Sequence, residues 1–192
     1  MLCQFQAIGQ TLFSQGLVTN QSGNLSIKLG EQMLITHRGS MLNSINEADL
    51  VETGINKNDR ATPLASTELA VHRCIYKKTS AVAVVHAHPP YAVALSFVEK
   101  EIIPCDMEGL DLLSAVPVLG VGRAVRAVDL AEEIAEALTR YKVVLVRSHG
   151  SFAASQLLEE AYYYTSVLEQ SCRILYLLKA LRVNTDVFLD KG

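Results

Sequence analysis

The stretch AVAVVHAHPP, residues 81–90, decides how the rest of the chain is interpreted. Its run of alanine and valine is typical of a buried central strand, and the two prolines end that strand abruptly. Side chains alternate between the two faces of a strand, so His86 and His88 project from the same face and could bind one metal ion. Burying two imidazoles in so apolar a segment is costly without partners. The alternative is that the pair caps the strand in solvent, which is the commoner explanation of H-x-H on its own.

A third histidine follows another buried-strand run, VVLV at residues 143–146. If the two strands were neighbours, the end of this second strand would place His149 beside the first pair. Three histidine ligands leave a coordination position open, and an open position distinguishes a catalytic zinc from a structural one. His37 and His72 have no companion at ligand spacing, so we interpret them as surface or locally hydrogen-bonded residues.

The remaining elements follow from apolar periodicity and turn residues. Helices are predicted at residues 3–15, 66–77, 91–98, 129–140 and 155–182. Extended segments are predicted at 25–29 and 33–35, which form a hairpin, and at 81–88, 102–104, 116–118 and 143–146. Ser66 or Thr67 is the expected N-cap of the second helix, and Asp129 with Glu132 resembles a capping box for the fourth. This mixed order favours α/β layers with a sheet that is at least partly antiparallel.

Composition excludes several classes of protein. The 192 residues suit one domain spanning 1–192, and 17 basic against 20 acidic residues give a net charge of -3. Such a balance offers no basic surface for nucleic acid or an anionic membrane, although a small anion could still bind locally. The four cysteines form no C-x-x-C pair, and no apolar run approaches the length of a membrane span. We therefore expect a soluble cytoplasmic protein.

Three turn-like segments contain residues that suit a phosphate group. Ser66 and Thr67 precede the second predicted helix, where backbone N–H groups and hydroxyls can bind an anion. The loops 22–24 and 38–40 supply Gly23, Asn24, Gly39 and an additional charge on Arg38. Each segment taken alone is an ordinary turn, and Glu68 alone is an ordinary acid in the first turn of a helix.

Five segments, taken in order, resemble the motifs of one family. They are QSGNLS (21–26), LITHRGS (34–40), PLASTE (63–68), AVVHAHPPYAVALS (83–96) and VLVRSHGSFAA (144–154). With these motifs the chain resembles the class II aldolase and adducin head-domain family over nearly its whole length. The resemblance implies a three-layer α/β/α sandwich around a mainly antiparallel sheet, assembled as a homotetramer with active sites at subunit interfaces.

The resemblance also implies which residues act. His86, His88 and His149 match the zinc ligands. Glu68 matches an acid that ligates the resting zinc and then transfers a proton when substrate displaces it. The phosphate-binding positions are matched by Gly23, Asn24, Gly39, Ser66 and Thr67.

The implied activity is a zinc-dependent aldolase that reversibly cleaves a ketose 1-phosphate, similar to L-fuculose 1-phosphate, into dihydroxyacetone phosphate and an aldehyde. The alternatives are a sugar-phosphate 4-epimerase, a methylthioribulose-phosphate dehydratase and a non-catalytic adducin-like assembly module. The segment IPCDMEGLDLL, residues 103–113, lacks the tyrosine that enters the neighbouring subunit's site in some members. Glu108 could do comparable work there as a second catalytic residue, and a solvated loop acid is an equally good interpretation.

Overall fold

A computed structural model describes residues 1–122 and 126–183, and its centre is one eight-stranded sheet. The strands are β1 Asn24–Leu29, β2 Gln32–Thr36, β3 Leu50–Gly54, β4 Ala83–Ala87, β5 Glu101–Ile102, β6 Val116–Leu119, β7 Val143–Val146 and β8 Gly150–Ser155. Their order across the sheet is β3-β2-β1-β4-β8-β7-β6-β5. Only β6 and β7 pair in parallel, and the other neighbouring strands are antiparallel. The strand that contains His86, β4, is buried along its whole length between β1 and β8.

Helices cover both faces of this sheet. One face carries α1 Leu2–Ser14, α3 Pro90–Ser96, α4 Met107–Leu113 and α6 Leu158–Ala180, and the other carries α2 Leu69–Lys78 and α5 Ala131–Ala137. Successive residues of β4 point to opposite faces, so Val85 belongs to the first apolar core and Val84 to the second. The predicted three-layer α/β/α sandwich around a mainly antiparallel sheet is therefore confirmed.

The longest helix, α6, contributes a stripe of buried residues at helical spacing. Leu168, Cys172 and Leu175 are all buried, as the periodicity predicts. Its exposed positions carry charged residues together with Tyr163, Tyr176 and Leu177. Within residues 1–122 and 126–183, no helix combines the length and the apolar character that crossing a membrane requires.

Three elements of the structure are absent from the sequence prediction. Edge strand β3 has the sequence LVETG, which lacks an alternation of polar and apolar residues. Strand β8 consists largely of small residues whose burial comes from its place between β4 and β7. Helix α4 contains Gly109, a poor helix former, and is initiated by the Asp106 side chain, which accepts a hydrogen bond from the Gly109 N–H at 2.9 Å.

Both predicted helix caps are wrong. The second helix begins at Leu69, so its N-cap is Glu68, and the Ser66 hydroxyl accepts the Glu68 N–H at 3.3 Å before the helix starts. The Asp129 carboxylate accepts the backbone N–H of Arg126 at 3.3 Å, which makes it part of a 3-10 turn at 127–130. Helix α5 then starts at Ala131, so Asp129 does not pair with Glu132 in a capping box.

Candidate metal centre

Three histidines meet at one end of the central strands. His86 is the penultimate residue of β4, His88 follows its end, and His149 lies in the turn between β7 and β8. The strand beside β4 is β8 and not β7, so His149 reaches the pair through the turn that leads into β8. The potential ligand nitrogens of the three rings lie within 4.8 Å of one another. These three side chains could therefore hold one metal ion.

The turn that carries His149 has an unusual backbone conformation. Ser148 has φ 59°, in the left-handed region that serine seldom adopts. A left-handed residue is common in three-residue hairpin loops, and here the fully buried Ser96 hydroxyl of α3 accepts the Ser148 N–H at 2.9 Å. The same hydroxyl donates to the Val93 carbonyl at 2.6 Å. Helix α3 thus holds the turn that positions the third histidine.

Glu68 contacts two of the three histidines. One carboxylate oxygen, Oε2, lies 3.0 Å from His86 Nε2, and the other, Oε1, lies 3.1 Å from His149 Nε2. The residue is buried although it stands at the start of a surface helix. The structure therefore brings all four residues of the predicted ligand set together.

The hydrogen bonds around His86 determine which of its nitrogens faces the centre with a lone pair. His86 Nδ1 lies 2.8 Å from the Ser151 carbonyl oxygen, which can only accept, so Nδ1 carries the proton. Nε2 of the neutral ring is then an acceptor, yet it faces Glu68 Oε2 at 3.0 Å and His88 Nε2 at 2.9 Å. A proton can bridge only one such pair at a time, whereas a metal ion binds all of them. The donor set therefore fits a metal ion, and the carbonyl behind His86 orients the ring as partners of metal-bound histidines do.

The protonation states at the centre suit metal ligands. Burial lowers the pKa of His86, and burial with the neighbouring rings brings the pKa of His88 to about 3. For Glu68 burial acts in the opposite direction and raises the pKa, but the His86 and His149 rings outweigh it and bring the pKa to about 2. An ionised Glu68 beside neutral His86 and His88 rings is the state in which these three groups can ligate a metal.

A cavity of about 230 Å³ opens beside the histidines and contains all six predicted phosphate-binding positions. Its walls are the loops 21–24 and 37–40, the segment 66–68 and the three histidines. Backbone hydrogen bonds join two of these walls, from Ser66 N–H to Thr36 O at 3.1 Å and from Arg38 N–H to Leu64 O at 2.9 Å. Gly23, Asn24, Arg38, Gly39, Ser66 and Thr67 therefore surround one space next to the candidate metal ligands.

Gly23 explains how the first loop comes so close to β4. Its φ is +79°, and a Cβ at this position would lie 2.6 Å from Val18 Cγ1 and 2.8 Å from the His86 carbonyl oxygen. Any side chain would push the loop away from the strand that carries His86. The lack of a side chain keeps the loop backbone beside the cavity.

Glu108 lies outside this cavity. It is exposed in the first turn of α4, and its Oε1 accepts a hydrogen bond from the Tyr163 hydroxyl at 2.7 Å. Within one subunit the structure does not bring Glu108 to Glu68 or the histidines.

Sequence reasoning missed several residues of the site. Gln21 and His37 line the cavity. His72 is fully buried and hydrogen-bonded to Asn24, so of its two interpretations the surface residue is wrong and the hydrogen-bonded residue is right. The spacing of residues along the second helix contains a signal that could have identified His72. Glu68, His72 and Tyr76 recur at intervals of four, which places them on one side of a helix.

The fold and the site together define a class: an α/β/α domain with three clustered histidines that could hold a metal ion, next to a cavity lined by the predicted phosphate-binding residues. Residues 3–176 match the Class II Aldolase and Adducin N-terminal domain family. The chain belongs to this family, as its motifs predicted.

Three proteins similar to this chain have names that state an activity. An L-fuculose phosphate aldolase of Methanococcus maripaludis is 27% identical over 94% of this chain and 99% of its own length. A 3-oxo-tetronate 4-phosphate decarboxylase of Pectobacterium atrosepticum is also 27% identical, over 89% of this chain and 81% of its own. The crystal structure of the L-fuculose-1-phosphate aldolase from Thermus thermophilus superposes with a TM-score of 0.88, at 36% identity over 94% of this chain and 95% of that one.

Proposed function

We propose that this protein is a zinc-dependent aldolase that reversibly cleaves a ketose 1-phosphate, similar to L-fuculose 1-phosphate, into dihydroxyacetone phosphate and an aldehyde. The observation that carries the proposal is the position of Glu68, whose carboxylate contacts two of the three histidines and also borders the phosphate cavity. The likeness to the two aldolases supports the choice of substrate class.

Zinc is the proposed metal, with His86, His88, His149 and Glu68 as its ligands. Three imidazole nitrogens and a carboxylate are donors that zinc accepts, and a site of this kind can exchange one protein ligand for substrate. When bound, the ion supplies a Lewis acid for the substrate's oxygens and so stabilises the negative charge that develops as the carbon–carbon bond breaks.

The loops around the cavity bind the phosphate in this proposal. Gly23, Asn24, Gly39, Ser66 and Thr67 supply backbone N–H groups, an amide and hydroxyls, and the exposed Arg38 at the rim supplies a positive charge. Holding the phosphate there directs the carbonyl end of the substrate toward the histidines. The cavity of about 230 Å³ limits the substrate to a small molecule.

In this proposal Glu68 delivers a proton to C3, the carbon of the three-carbon fragment that loses its bond to C4. Cleavage between C3 and C4 of a ketose 1-phosphate removes the proton of the C4 hydroxyl, converts C4 to an aldehyde and leaves the electron pair on the three-carbon fragment. Protonation of that fragment at C3 yields dihydroxyacetone phosphate. A carboxylate whose pKa is about 2 while it contacts the rings becomes more basic once it leaves them, which suits a group that shuttles this proton.

We assign the removal of the proton from the C4 hydroxyl to Glu108 of the partner subunit in a homotetramer. Glu108 is exposed and away from the cavity of its own chain, and the adjacent Met107 is 72% exposed, which is expected of a surface covered in an assembly. A carboxyl group can donate and accept this proton, as a tyrosine at the same place could.

We further propose that the protein works in the cytoplasm. Cys3, Cys74, Cys105 and Cys172 are free thiols in the structure, which suits a reducing compartment.

Decarboxylation of a 3-oxo-tetronate 4-phosphate is a second candidate, because a relative with that name has the same 27% identity to this chain as the first aldolase. Loss of carbon dioxide from C1 of such an acid leaves the electron pair on C2, next to the C3 carbonyl. Protonation at C2 then gives dihydroxyacetone phosphate, the same product. The two reactions differ only in what leaves, an aldehyde or carbon dioxide, so the same cavity and the same proton transfer by Glu68 serve both.

The experiment measures dihydroxyacetone phosphate with a coupled enzyme after loading the protein with zinc. L-fuculose 1-phosphate and 3-oxo-tetronate 4-phosphate are the two substrates, unphosphorylated L-fuculose is the control, and aldehyde and carbon dioxide are measured separately. The proposal expects product and aldehyde from the ketose phosphate and none from the control. Epimerisation of ribulose 5-phosphate or dehydration of methylthioribulose 1-phosphate in place of cleavage would contradict it, and a protein that binds no divalent ion would point to the adducin-like assembly role.

A further inference from the structure

Behind Glu68 and Asn24 lies a chain of buried polar side chains, and the proposed reaction assigns no role to its other three members, Tyr76, Ser26 and His72. The Tyr76 hydroxyl lies 2.6 Å from Ser26 Oγ, which lies 2.6 Å from His72 Nδ1. His72 Nε2 lies 2.6 Å from Asn24 Oδ1, and Asn24 Nδ2 donates to Glu68 Oε2 at 3.4 Å. All five residues are buried, and Ser26 and His72 have no exposed surface. Such a chain in an apolar core is costly unless every member is satisfied.

The chain has one consistent direction. A carboxylate oxygen only accepts, so the Asn24 amide presents its NH₂ group to Glu68 and its oxygen to His72. His72 must then carry its proton on Nε2, which leaves Nδ1 to accept from the Ser26 hydroxyl. Ser26 in turn accepts from the hydroxyl of Tyr76. Each donor faces an acceptor from Tyr76 to Glu68, and burial, which brings the pKa of His72 to about 3, keeps the ring neutral as this order requires.

Glu68 on one side and the Nε2–H of His72 on the other therefore fix together which way the Asn24 amide points. An Asn side chain can exchange its oxygen and nitrogen by a half turn, and the opposite orientation would place the Asn24 oxygen against the Glu68 carboxylate. The amide nitrogen has two hydrogens, and one of them is used by Glu68. Asn24 also lines the cavity, so the second N–H is available to a phosphate oxygen there.

We propose that His72 is a positioning residue for the phosphate site: its Nε2–H holds the Asn24 amide so that both N–H groups face anions, the Glu68 carboxylate on one side and the substrate phosphate on the other. This inference rests on the proposed function for the identity of the second anion. His72 touches neither the substrate nor the metal ligands, and it acts only through Asn24. If His72 had a purely structural role, any side chain that filled its space and made its hydrogen bonds would suffice. The tautomer of the ring would then not matter.

The first test measures the tautomer of His72 in the unmodified protein by NMR of the imidazole nitrogens. The inference expects a proton on Nε2 and a bare Nδ1, in a neutral ring. A proton on Nδ1 would reverse the chain and overturn the inference, whatever the enzyme does. This measurement needs no variant and does not depend on activity.

The second test compares two substitutions of similar size and polarity. The amide nitrogen of His72→Gln can occupy the place of Nε2 and still donate to Asn24, whereas the shorter His72→Asn can bond only Ser26. Tyr76→Phe is the matched control, because it removes a hydroxyl from the far end of the chain and leaves His72 and Asn24 in contact. Far-UV circular dichroism and zinc content are measured for each protein, and binding of inorganic phosphate is measured by calorimetry.

Loss of one hydrogen bond to an anion predicts about tenfold weaker phosphate binding in His72→Asn, with most of it restored in His72→Gln and little change in Tyr76→Phe. Michaelis constants for the phosphorylated substrate should rise in the same order. Equal phosphate affinities in the Gln and Asn variants would overturn the positioning role while leaving the aldolase proposal intact. If the unmodified protein bound phosphate but released no dihydroxyacetone phosphate, the proposed reaction would fail and the positioning role would stand. If His72→Asn does not fold, the NMR measurement decides.

Discussion

Glu68 contacts two of the histidines of the candidate metal centre and also lines the cavity that contains the predicted phosphate-binding residues. Glu68→Gln keeps the shape of the side chain and removes its charge and its capacity to transfer a proton. We expect the turnover number to fall by roughly 10² to 10⁴, the usual range for general acid–base groups, while the three histidines retain zinc. Turnover and zinc content of the purified variant measure this, with Glu52→Gln, at the exposed position of β3, as the control. A variant that kept full turnover would remove Glu68 from the mechanism.

His86 is the residue at which metal binding is most easily tested. His86→Ala removes the ring that contacts Glu68, His88 and the Ser151 carbonyl together, so we expect zinc to fall well below one ion per subunit and activity to disappear with it. The matched control is His37→Ala, because His37 lines the same cavity but is not one of the clustered histidines. Elemental analysis of both variants gives the result. Zinc retained by His86→Ala, or lost equally from His37→Ala, would contradict the assigned ligand set.

At the residue scale, the sequence predicts the histidine set and leaves the groups behind it unassigned. H-x-H on a strand can be interpreted from strand alternation alone, and the family motifs add Glu68 and the loop residues. The partnership of His72 with Asn24 and Ser26 was not predictable, because it requires knowing that α2 lies across β1. Periodicity shows that Glu68, His72 and Tyr76 share a side of a helix, but it does not show which strand that side faces.

At the scale of elements, the close contact between β4 and β8 determines the position of His88. A Cβ on Gly150 would lie 2.3 Å from the Ala87 carbonyl oxygen and 2.9 Å from His88 Cδ2. Gly150→Ala must therefore separate the two strands at the metal centre, and we expect a loss of about 1–3 kcal/mol in the free energy of unfolding together with weaker zinc binding.

The control for this prediction is Gly30→Ala in the turn between β1 and β2. Gly30 has φ +63° but no atom near its Cβ position, so the substitution should cost about 1–2 kcal/mol of stability and leave zinc affinity unchanged. Urea unfolding and zinc titration of both variants separate the two effects. Gly150→Ala with normal zinc affinity would show that the strands can move apart without displacing His88.

The elements that were predicted correctly are those whose own sequence decides their structure. β7 consists of valine and leucine, β4 combines valine with alanine in a short apolar run, and α6 has a long apolar stripe. β8 has neither signal, because it is a strand only through its hydrogen bonds to β4 and β7. The predicted N-caps of α2 and α5 are wrong because Ser66 and Asp129 make their local hydrogen bonds within the turn that precedes each helix.

At the scale of the whole molecule, buried neutral histidines predict sensitivity to acid. The pKa of His72 is about 3 in the folded protein against 6.5 in its ordinary state, so the unfolded chain binds more protons between these values. Stability is therefore full above about pH 6.5 and falls toward about pH 3, with a slope of up to about 1.4 kcal/mol per pH unit for each such histidine. The lowered pKa of Glu68 adds a further loss between its ordinary value of 4.5 and about 2.

Urea unfolding of the metal-free protein at a series of pH values, at one protein concentration, measures this dependence. His72→Gln carries no group that titrates in this range, so its stability should fall less steeply below about pH 6.5. If stability fell equally steeply with pH in the two proteins, His72 would bind its proton in the folded state as readily as in the unfolded chain, and its pKa would not be lowered.

Glu108 lies away from the cavity of its own chain, so it can have a catalytic role only if the protein assembles as the proposed homotetramer. If each site combines Glu68 of one subunit with Glu108 of the partner subunit, Glu68→Gln and Glu108→Gln homotetramers should each have low activity. Mixed tetramers, formed by dissociating and reassembling the two variants together, would contain some sites in which both carboxylates are intact. Activity should then rise above that of either variant, whereas a Glu108 that acts only within its own subunit would leave every mixed site with one defect. Full activity of Glu108→Gln alone would make the hydrogen bond from Tyr163 its only visible role.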